Sequence, residues 1–411
     1  MSFNDWQTFR LGDVGKVITG KTPPTKDEEN FGIDYPFITP VDMIGQKYVY
    51  QTVRNLSEIG RNILKNNLLP SNTICISCIG SDLGKVVKTS KASFTNQQIN
   101  SIICNETFDS DFIYYALCNI SSLIKSIGHN STAVPIINKT DFSNFEIDAP
   151  TDIEIQIKIG SILSSLDDKI ENNLNTNKTL EEIARTIFKE WFVNFNYPNA
   201  DGSRKHSEFG KIPTDWQVGT LGDIYRTTSG GTPSRAKMEY YENGTIGWIK
   251  SKELNNTFIL DTEESITQVA MKNSSAKLLA KHSVLIAIAG ATIGEVGISA
   301  KEFTCNQNIC AFLDNSQYPY SFIYHLLLIN KVDIIGRAVG SAQQYISQSA
   351  LNQYKLVIPP SELVKIFHKI VEPIFEKIKD NIEENKTLKE LRDSLLPKLM
   401  SGEIDVNISN A

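Results

Sequence analysis

The chain has 411 residues, 41% hydrophobic, 21% charged and 9% aromatic, with a formal net charge of −6. That is too long for one ordinary core, and it is the composition of a globular protein of two or three domains. The acidic balance excludes a polybasic binder whose affinity rests on global charge, while leaving room for a local basic face. No apolar run approaches the roughly 18–20 residues of a membrane helix. The opening Met1-Ser2-Phe3-Asn4-Asp5-Trp6 has neither the basic nor the apolar region of a secretion signal, so a cytoplasmic location without membrane contact is expected.

The chain is a duplication, and its elements are read in two registers at once. Trp6, Leu11-Gly12-Asp13-Val14 and Gly20-Lys21-Thr22-Pro23 return as Trp216, Leu221-Gly222-Asp223-Ile224 and Gly230-Gly231-Thr232-Pro233, at a constant offset of 210. Next come β-rich runs, Thr73 to Ile79 and Ser283 to Ile288, bounded by turn residues. Gly80 and Gly84 align with Gly290 and Gly294, Asn96-Gln97 with Asn306-Gln307, Ile113-Tyr114 with Ile323-Tyr324, and Pro150 with Pro360. A period this long makes each copy a domain, not a solenoid unit.

From Asp152 to Trp191 apolar residues recur at helical steps: Ile153, Ile157, Leu163, Leu166, Ile170, Leu174, Leu180, Ile183, Ile187 and Trp191. Thr151 with Glu154 reads as a capping box. The second copy runs Leu363, Ile366, Ile370, Ile374, Ile378, Ile382, Leu388, Leu391, Leu395 and Leu399, capped by Ser361, with a bend or restart expected at Pro373. Forty helical residues extend roughly 60 Å, longer than a small domain. The two stripes are therefore expected to pack as an antiparallel pair joining the mixed domains with pseudo-twofold symmetry. Asn177 and Asn385 sit at equivalent places on the stripes, either as register-setting seam residues or as solvated edge positions. The expected fold is α+β: two pseudo-repeated mixed α/β domains, residues 1–150 and 196–360, with long coiled-coil-like helices in 151–195 and 361–411.

Signals of chemistry fail one by one when the copies are compared. Gly80-Ser81-Asp82-Leu83-Gly84-Lys85-Val86 is one residue short of a phosphate loop, and its twin carries Glu295 in place of the lysine. Cys75-Ile76-Ser77-Cys78 becomes Leu285 and Ile288 at the cysteine positions, which marks core, so neither metal nor disulfide is expected. The five histidines are scattered, no Ser/His/Asp order stands out, and no cofactor loop follows a strand. The chain is expected to be non-catalytic. What remain are polar loops, Thr227 to Arg235, Asn306-Gln307-Asn308 and Gly340 to Tyr345. Such side chains suit base edges and phosphates, and equally serve as solvated connections.

Taken together, the two domains, each followed by a long helix, and the stretches Gly-Thr-Pro (231–233), Gly-Ala-Thr-Ile-Gly (290–294), Asn-Gln-Asn-Ile (306–309), Gly-Ser-Ala-Gln-Gln-Tyr-Ile-Ser (340–347) and Pro-Pro (359–360) resemble the specificity (S) subunit of type I restriction-modification systems. The resemblance covers the whole chain, and copy one departs from these stretches more than copy two. It implies two target-recognition domains, each reading one half of a split asymmetric site in double-stranded DNA. The helices would then act as a spacer that docks two modification (methyltransferase) subunits and, through them, restriction (motor nuclease) subunits. S-adenosylmethionine is expected in the partner, with no cofactor or metal in this chain. Positions shared by the copies would be scaffold or phosphate contacts, among them Thr22 and Thr232, Gln97 and Gln307; divergent polar ones would read bases. The candidate DNA-binding residues are thus Lys21, Thr22, Lys26, Lys85, Gln97, Gln98, Thr132 and Asn138 in the first copy. In the second they are Thr232, Ser234, Arg235, Thr292, Gln307, Gln343, Gln344 and Tyr345. The rival reading is a pseudosymmetric adaptor that binds protein partners without DNA specificity.

Overall fold

The computed structural model describes residues 6–129, 136–254, 257–340 and 344–406. Two compact units emerge, one of residues 1–172 with 385–411, the other of residues 173–384.

In the first unit, strands β1 (Gly15–Thr19), β2 (Tyr48–Val49), β3 (Ile74–Ser77), β4 (Val86–Thr89) and β5 (Ile99–Cys104) form one sheet in the order β1-β5-β3-β4-β2. Helix α1 (Ser110–His129) and the long helix α2 (Ile153–Phe192) follow. The second unit repeats the plan. Strands β6 (Thr227–Ser229), β7 (Phe258–Ile259), β8 (Val284–Ala287), β9 (Val296–Ser299) and β10 (Ile309–Phe312) take the order β6-β10-β8-β9-β7. Helices α3 (Tyr320–Ile329) and α4 (Ser361–Met400) complete it. In both sheets only the edge pair, β2 with β4 and β7 with β9, is parallel.

The central strands β3 and β8 are buried at every position, because both faces of the sheet are covered. Successive side chains leave a strand on opposite faces. Ile74 and Ile76 accordingly join Ile102, Phe112 and Leu117 in one core, while Cys75 joins Ile38, Val87 and Ile99 in another. Val284 and Ile286 separate from Leu285 and Ala287 in the same way. The cysteine motif is thus strand interior: Cys75 and Cys78 are free and buried, and burial pushes their thiols up to about 12 and about 11.

Each domain is clasped at its own ends. Trp6–Arg10 pairs antiparallel with Glu146–Pro150, and Gln217–Thr220 with Lys355–Ile358.

Three details of the helices bear on the sequence reading. The first helical residue of α2 is Ile153 and Asp152 stands at its N-cap: its carboxylate accepts from the Glu154 N–H at 2.9 Å and its carbonyl from the Ile155 N–H at 3.2 Å. Helix α4 runs through Pro373 without a restart. Pro373 and Lys369, whose carbonyl loses its donor, are both exposed, so that carbonyl is open to solvent. The expected stripe is buried only in part: Leu163, Ile170, Trp191, Leu363, Ile378 and Leu399 are buried, and Ile155 and Ile159 join them, whereas Ile157, Leu174, Ile183, Ile366, Ile370 and Leu391 are 42% or more exposed.

Within each unit the α2 and α4 segments run antiparallel. Asp167 meets Arg392 at 2.6 Å in the first, and Asn173 meets Glu384 and Asn177 meets Asn381, at 2.8 and 2.7 Å, in the second. Asn177 and Asn381 are buried and bonded to each other, and Asn177 also donates to the Ile378 carbonyl, so Asn177 is a seam residue.

The domains rest on these helices differently. In the first unit Lys47 and Lys88, 3% and 1% exposed, share the carboxylate of Asp111 at 2.8 and 2.5 Å, and Lys47 also donates to Ser164 on α2. Burial opposes the Asp111 charge, but hydrogen bonds from both lysines outweigh it and hold the carboxyl below its usual range. The equivalent positions in the second unit are Thr257, Ile298 and Ser321. There the packing is aromatic: Phe188 of α2 stacks on His325 at 5.4 Å, and Phe375 of α4 packs edge-on to it.

Candidate nucleic-acid interface

Four polar segments of each copy, far apart in sequence, meet at one end of its main sheet. In the first unit β1 and β3 both pair antiparallel with β5, so the end of β1, the end of β3 and the start of β5 coincide. Four backbone bonds lock the segments there. The Gly20 N–H donates to the Ile99 carbonyl, Lys21 to Thr95, Cys78 to Gln98, and Ile137 to Cys78, at 2.8–3.0 Å. The second unit repeats every one: Gly230 to Ile309, Gly231 to Cys305, Ile288 to Asn308, and Ile346 to Ile288, at 2.8–3.3 Å.

The shared residues build this frame. A Cβ on Gly20 would lie 2.1 Å from the Asn96 carbonyl oxygen, and one on Gly230 would lie 2.2 Å from that of Cys305, so only glycine permits the approach. Gly80, Gly84, Gly290 and Gly294 sit at φ between +79° and +83°, the tight turn their spacing suggests. Asn96 and Asn306 each accept, at 3.1 Å, from the N–H two residues on. Thr22 donates to Gln97 at 2.6 Å, and Thr232 donates to Gln307 in the same way.

The divergent residues are placed individually. Lys21 and Lys26 are exposed, as are Ser234, Gln307 and Gln344. Lys85 is paired with Asp82 at 2.7 Å and donates to the Pro40 carbonyl. Gln98 is partly buried and accepts from Asn96 at 2.8 Å. Asn138 caps the short helix Lys139–Ser143 through Asp141. Thr292 lies in the β8–β9 turn, its carbonyl accepting from Glu295 at 3.0 Å. Tyr345 is 48% exposed, bridged through its backbone to Val339 and Ala289. Thr132 and Gln343 lie outside the described residues. Arg235 is paired with Glu264 at 2.5 Å, and its guanidinium carbon lies 4.3 Å from the centre of the Tyr241 ring. The hydrogen bonds from Arg235 and Lys250 hold the Glu264 carboxyl down at about 2.

Among the described residues no three His, Cys, Asp or Glu side chains lie close enough to share a metal ion, and no helix is long and apolar enough to cross a membrane. The sequence pattern of the type I restriction modification DNA specificity domain matches residues 4–182 and again residues 213–391. The chain belongs to this specificity-subunit family. It is similar over 98% of its length to the MjaIX specificity subunit of Methanocaldococcus jannaschii, with 32% identity and 94% of that protein covered. To the HindI specificity subunit of Haemophilus influenzae it is 25% identical, over 98% of this chain and 100% of the other. Its fold is shared with the type I restriction-modification S subunit of M. genitalium, at a TM-score of 0.61 and 18% identity, over 96% of both chains. Family membership makes DNA sequence recognition within a restriction-modification complex the business of this chain, as the sequence resemblance implied.

Reasoning by loop composition passes over one exposed cation beside this interface. Arg54, exposed just before the strand Asn55–Leu56 that pairs with Phe31–Gly32, has its guanidinium carbon 3.7 Å from the centre of the Phe31 ring. The retained aromatic at 31 and 241 is the signal that would have found it.

Proposed function

We propose that the chain is the non-catalytic recognition subunit of a type I restriction-modification complex. Each unit reads one half of a bipartite, asymmetric site in double-stranded DNA. The α2–α4 pair sets the spacing and carries two modification subunits, through which restriction subunits join, and S-adenosylmethionine is bound by the modification subunit. The observation that carries this reading is the interface itself: one backbone frame, bond for bond the same in both copies, displaying different side chains. Two readers with a common scaffold and separate sequence preferences require that combination. The apolar residues left exposed along the helices, Leu174, Ile183, Ile366, Ile370 and Leu391, suit the docking of partner subunits.

The test is adenine methylation across the host genome, with and without the gene. Loss of one split motif is expected on deletion, and exchange of residues 1–150 for those of a relative should alter one half of the motif only. A motif that survives deletion, or changes in both halves on exchange, would overturn the reading.

A further inference from the structure

The two units carry the same aromatic platform beside the interface, and each places an arginine on it from a different chain position. Phe31 and Phe37 meet edge to face with centroids 6.3 Å apart; Tyr241 and Trp248 do so at 6.2 Å. The backbone confirms the equivalence, since the Phe37 N–H donates to the Arg54 carbonyl and the Trp248 N–H to the Glu264 carbonyl. Glu264 therefore stands where the first copy has Arg54, and Arg235 where it has Thr25. The platform of the second unit is bonded straight to the recognition loop. The Tyr241 hydroxyl donates to the Pro233 carbonyl at 2.6 Å and the Trp248 indole to the Gly231 carbonyl at 3.0 Å.

The electrostatic settings are opposite. Arg54 has no carboxylate partner among the described residues, so a full positive charge rests on the Phe31 face. Arg235 is paired with Glu264, which also binds Lys250 at 2.9 Å, while Glu263 binds Lys250 and Lys252, each at 2.7 Å, so three cations share two carboxylates. A phosphate approaching Arg235 would meet the Glu264 charge as well, and the two contributions offset each other. A base edge carries no such charge. A guanidinium fixed between a carboxylate and two rings still has N–H donors to spare, and a guanidinium suits the paired acceptors of guanine.

We propose, building on the DNA-binding reading above, that the platforms divide the work: Arg54 is a phosphate contact of the first unit, and Arg235 is a guanine-reading contact of the second, oriented by Glu264. Arg54 then supplies affinity without sequence preference, and Arg235 supplies preference with little dependence on salt.

The experiment uses the full-length chain in complex with its modification subunits. The probes are a duplex carrying the motif found by methylation sequencing and a scrambled duplex, titrated across a range of salt. Arg54→Gln should lower the slope of log K against log salt by about 1 and weaken both duplexes alike, leaving the methylated motif unchanged. Arg54→Lys should keep the slope. Arg235→Gln should keep the slope and lose about tenfold or more in discrimination at one guanine of the half-site read by the second unit. Glu264→Gln should raise the slope by about 1. Thermal unfolding of the three arginine variants should match the parent, since both arginines are exposed. An unchanged slope in Arg54→Gln, a reduced slope with an unrelaxed motif in Arg235→Gln, or a half-site lacking guanine would overturn the division. A parent complex that binds both duplexes equally would instead overturn the DNA-reading assignment on which it rests.

Discussion

Replacing Asp111 with asparagine removes the one carboxylate that two lysines, 3% and 1% exposed, hold at 2.8 and 2.5 Å. Breaking a buried ion pair by deleting one partner costs roughly 3–5 kcal/mol. Asp111 itself is 30% exposed, which admits water and points to the lower end, about 3 kcal/mol, or about a hundredfold in the local opening constant. Two units make a single unfolding free energy ill-defined, so the assay is amide hydrogen exchange read by segment. Protection of β4, Val86–Thr89, should fall about a hundredfold, by the same arithmetic, while its counterpart Val296–Ser299 serves as internal control. The second unit also supplies the rescue. Lys47→Thr, Lys88→Ile and Asp111→Ser together install the residues found at the equivalent positions there, leave no buried charge unpaired, and should restore most of the protection. Equal losses in the single and triple variants would refute the reasoning, as would a single variant with parent-like exchange. In the parent, the Asp111 contribution should hold above the ordinary carboxyl value of 3.8 and fade as pH drops below it, because its folded pKa is depressed.

His325, buried and stacked on Phe188, is held neutral with its pKa lowered to about 4, chiefly by burial. The unfolded chain takes up this proton near 6.5 and the folded chain does not, so stability should decline as pH falls from 6.5 to 4, by about 3 kcal/mol in all. His325→Phe should flatten that part of a pH–stability profile. Gly20→Ala should disorder the first interface, given the 2.1 Å clash with the Asn96 carbonyl, and abolish motif methylation. Gly80→Ala, with open space around its Cβ, should cost only about 1 kcal/mol for its positive φ and leave methylation intact. Asn381→Ala leaves the buried Asn177 oxygen without its donor and should destabilise the second unit by about 1–3 kcal/mol in segment-resolved exchange.

The duplication made much of this legible. Residues unchanged at an offset of 210 could be assigned to the frame, and Gly20, Asn96, Thr22 and Gln97 hold it by backbone approach and hydrogen bonds that recur in the second copy. The cysteine motif was readable as core because its twin is aliphatic. The face of α2 was legible only in part: Leu163, Ile170 and Trp191 are buried as read, but Ile153, Ile155, Ile157 and Ile159 stand two apart, and only packing chooses among them. At Pro373 the sequence leaves a bend and a restart open; the helix continues because the residues around the lost hydrogen bond are exposed. Arg54 stayed hidden because its ring partner lies 23 positions away across a sheet, and because a comparison of aligned positions opposes it to a glutamate instead of to Arg235.

The strand clasp at the ends of each domain, Trp6–Arg10 on Glu146–Pro150 and Gln217–Thr220 on Lys355–Ile358, sets how such a chain can change. Because each domain's two ends lie side by side, the domain closes on itself before the chain enters the helix that follows it, like a cassette. A gene exchange that crosses within the helix-coding segments therefore delivers a reader already closed on itself, with its loop frame assembled. New specificities can then arise by trading whole readers, without the coordinated repair that a cut through the interior of a sheet would demand.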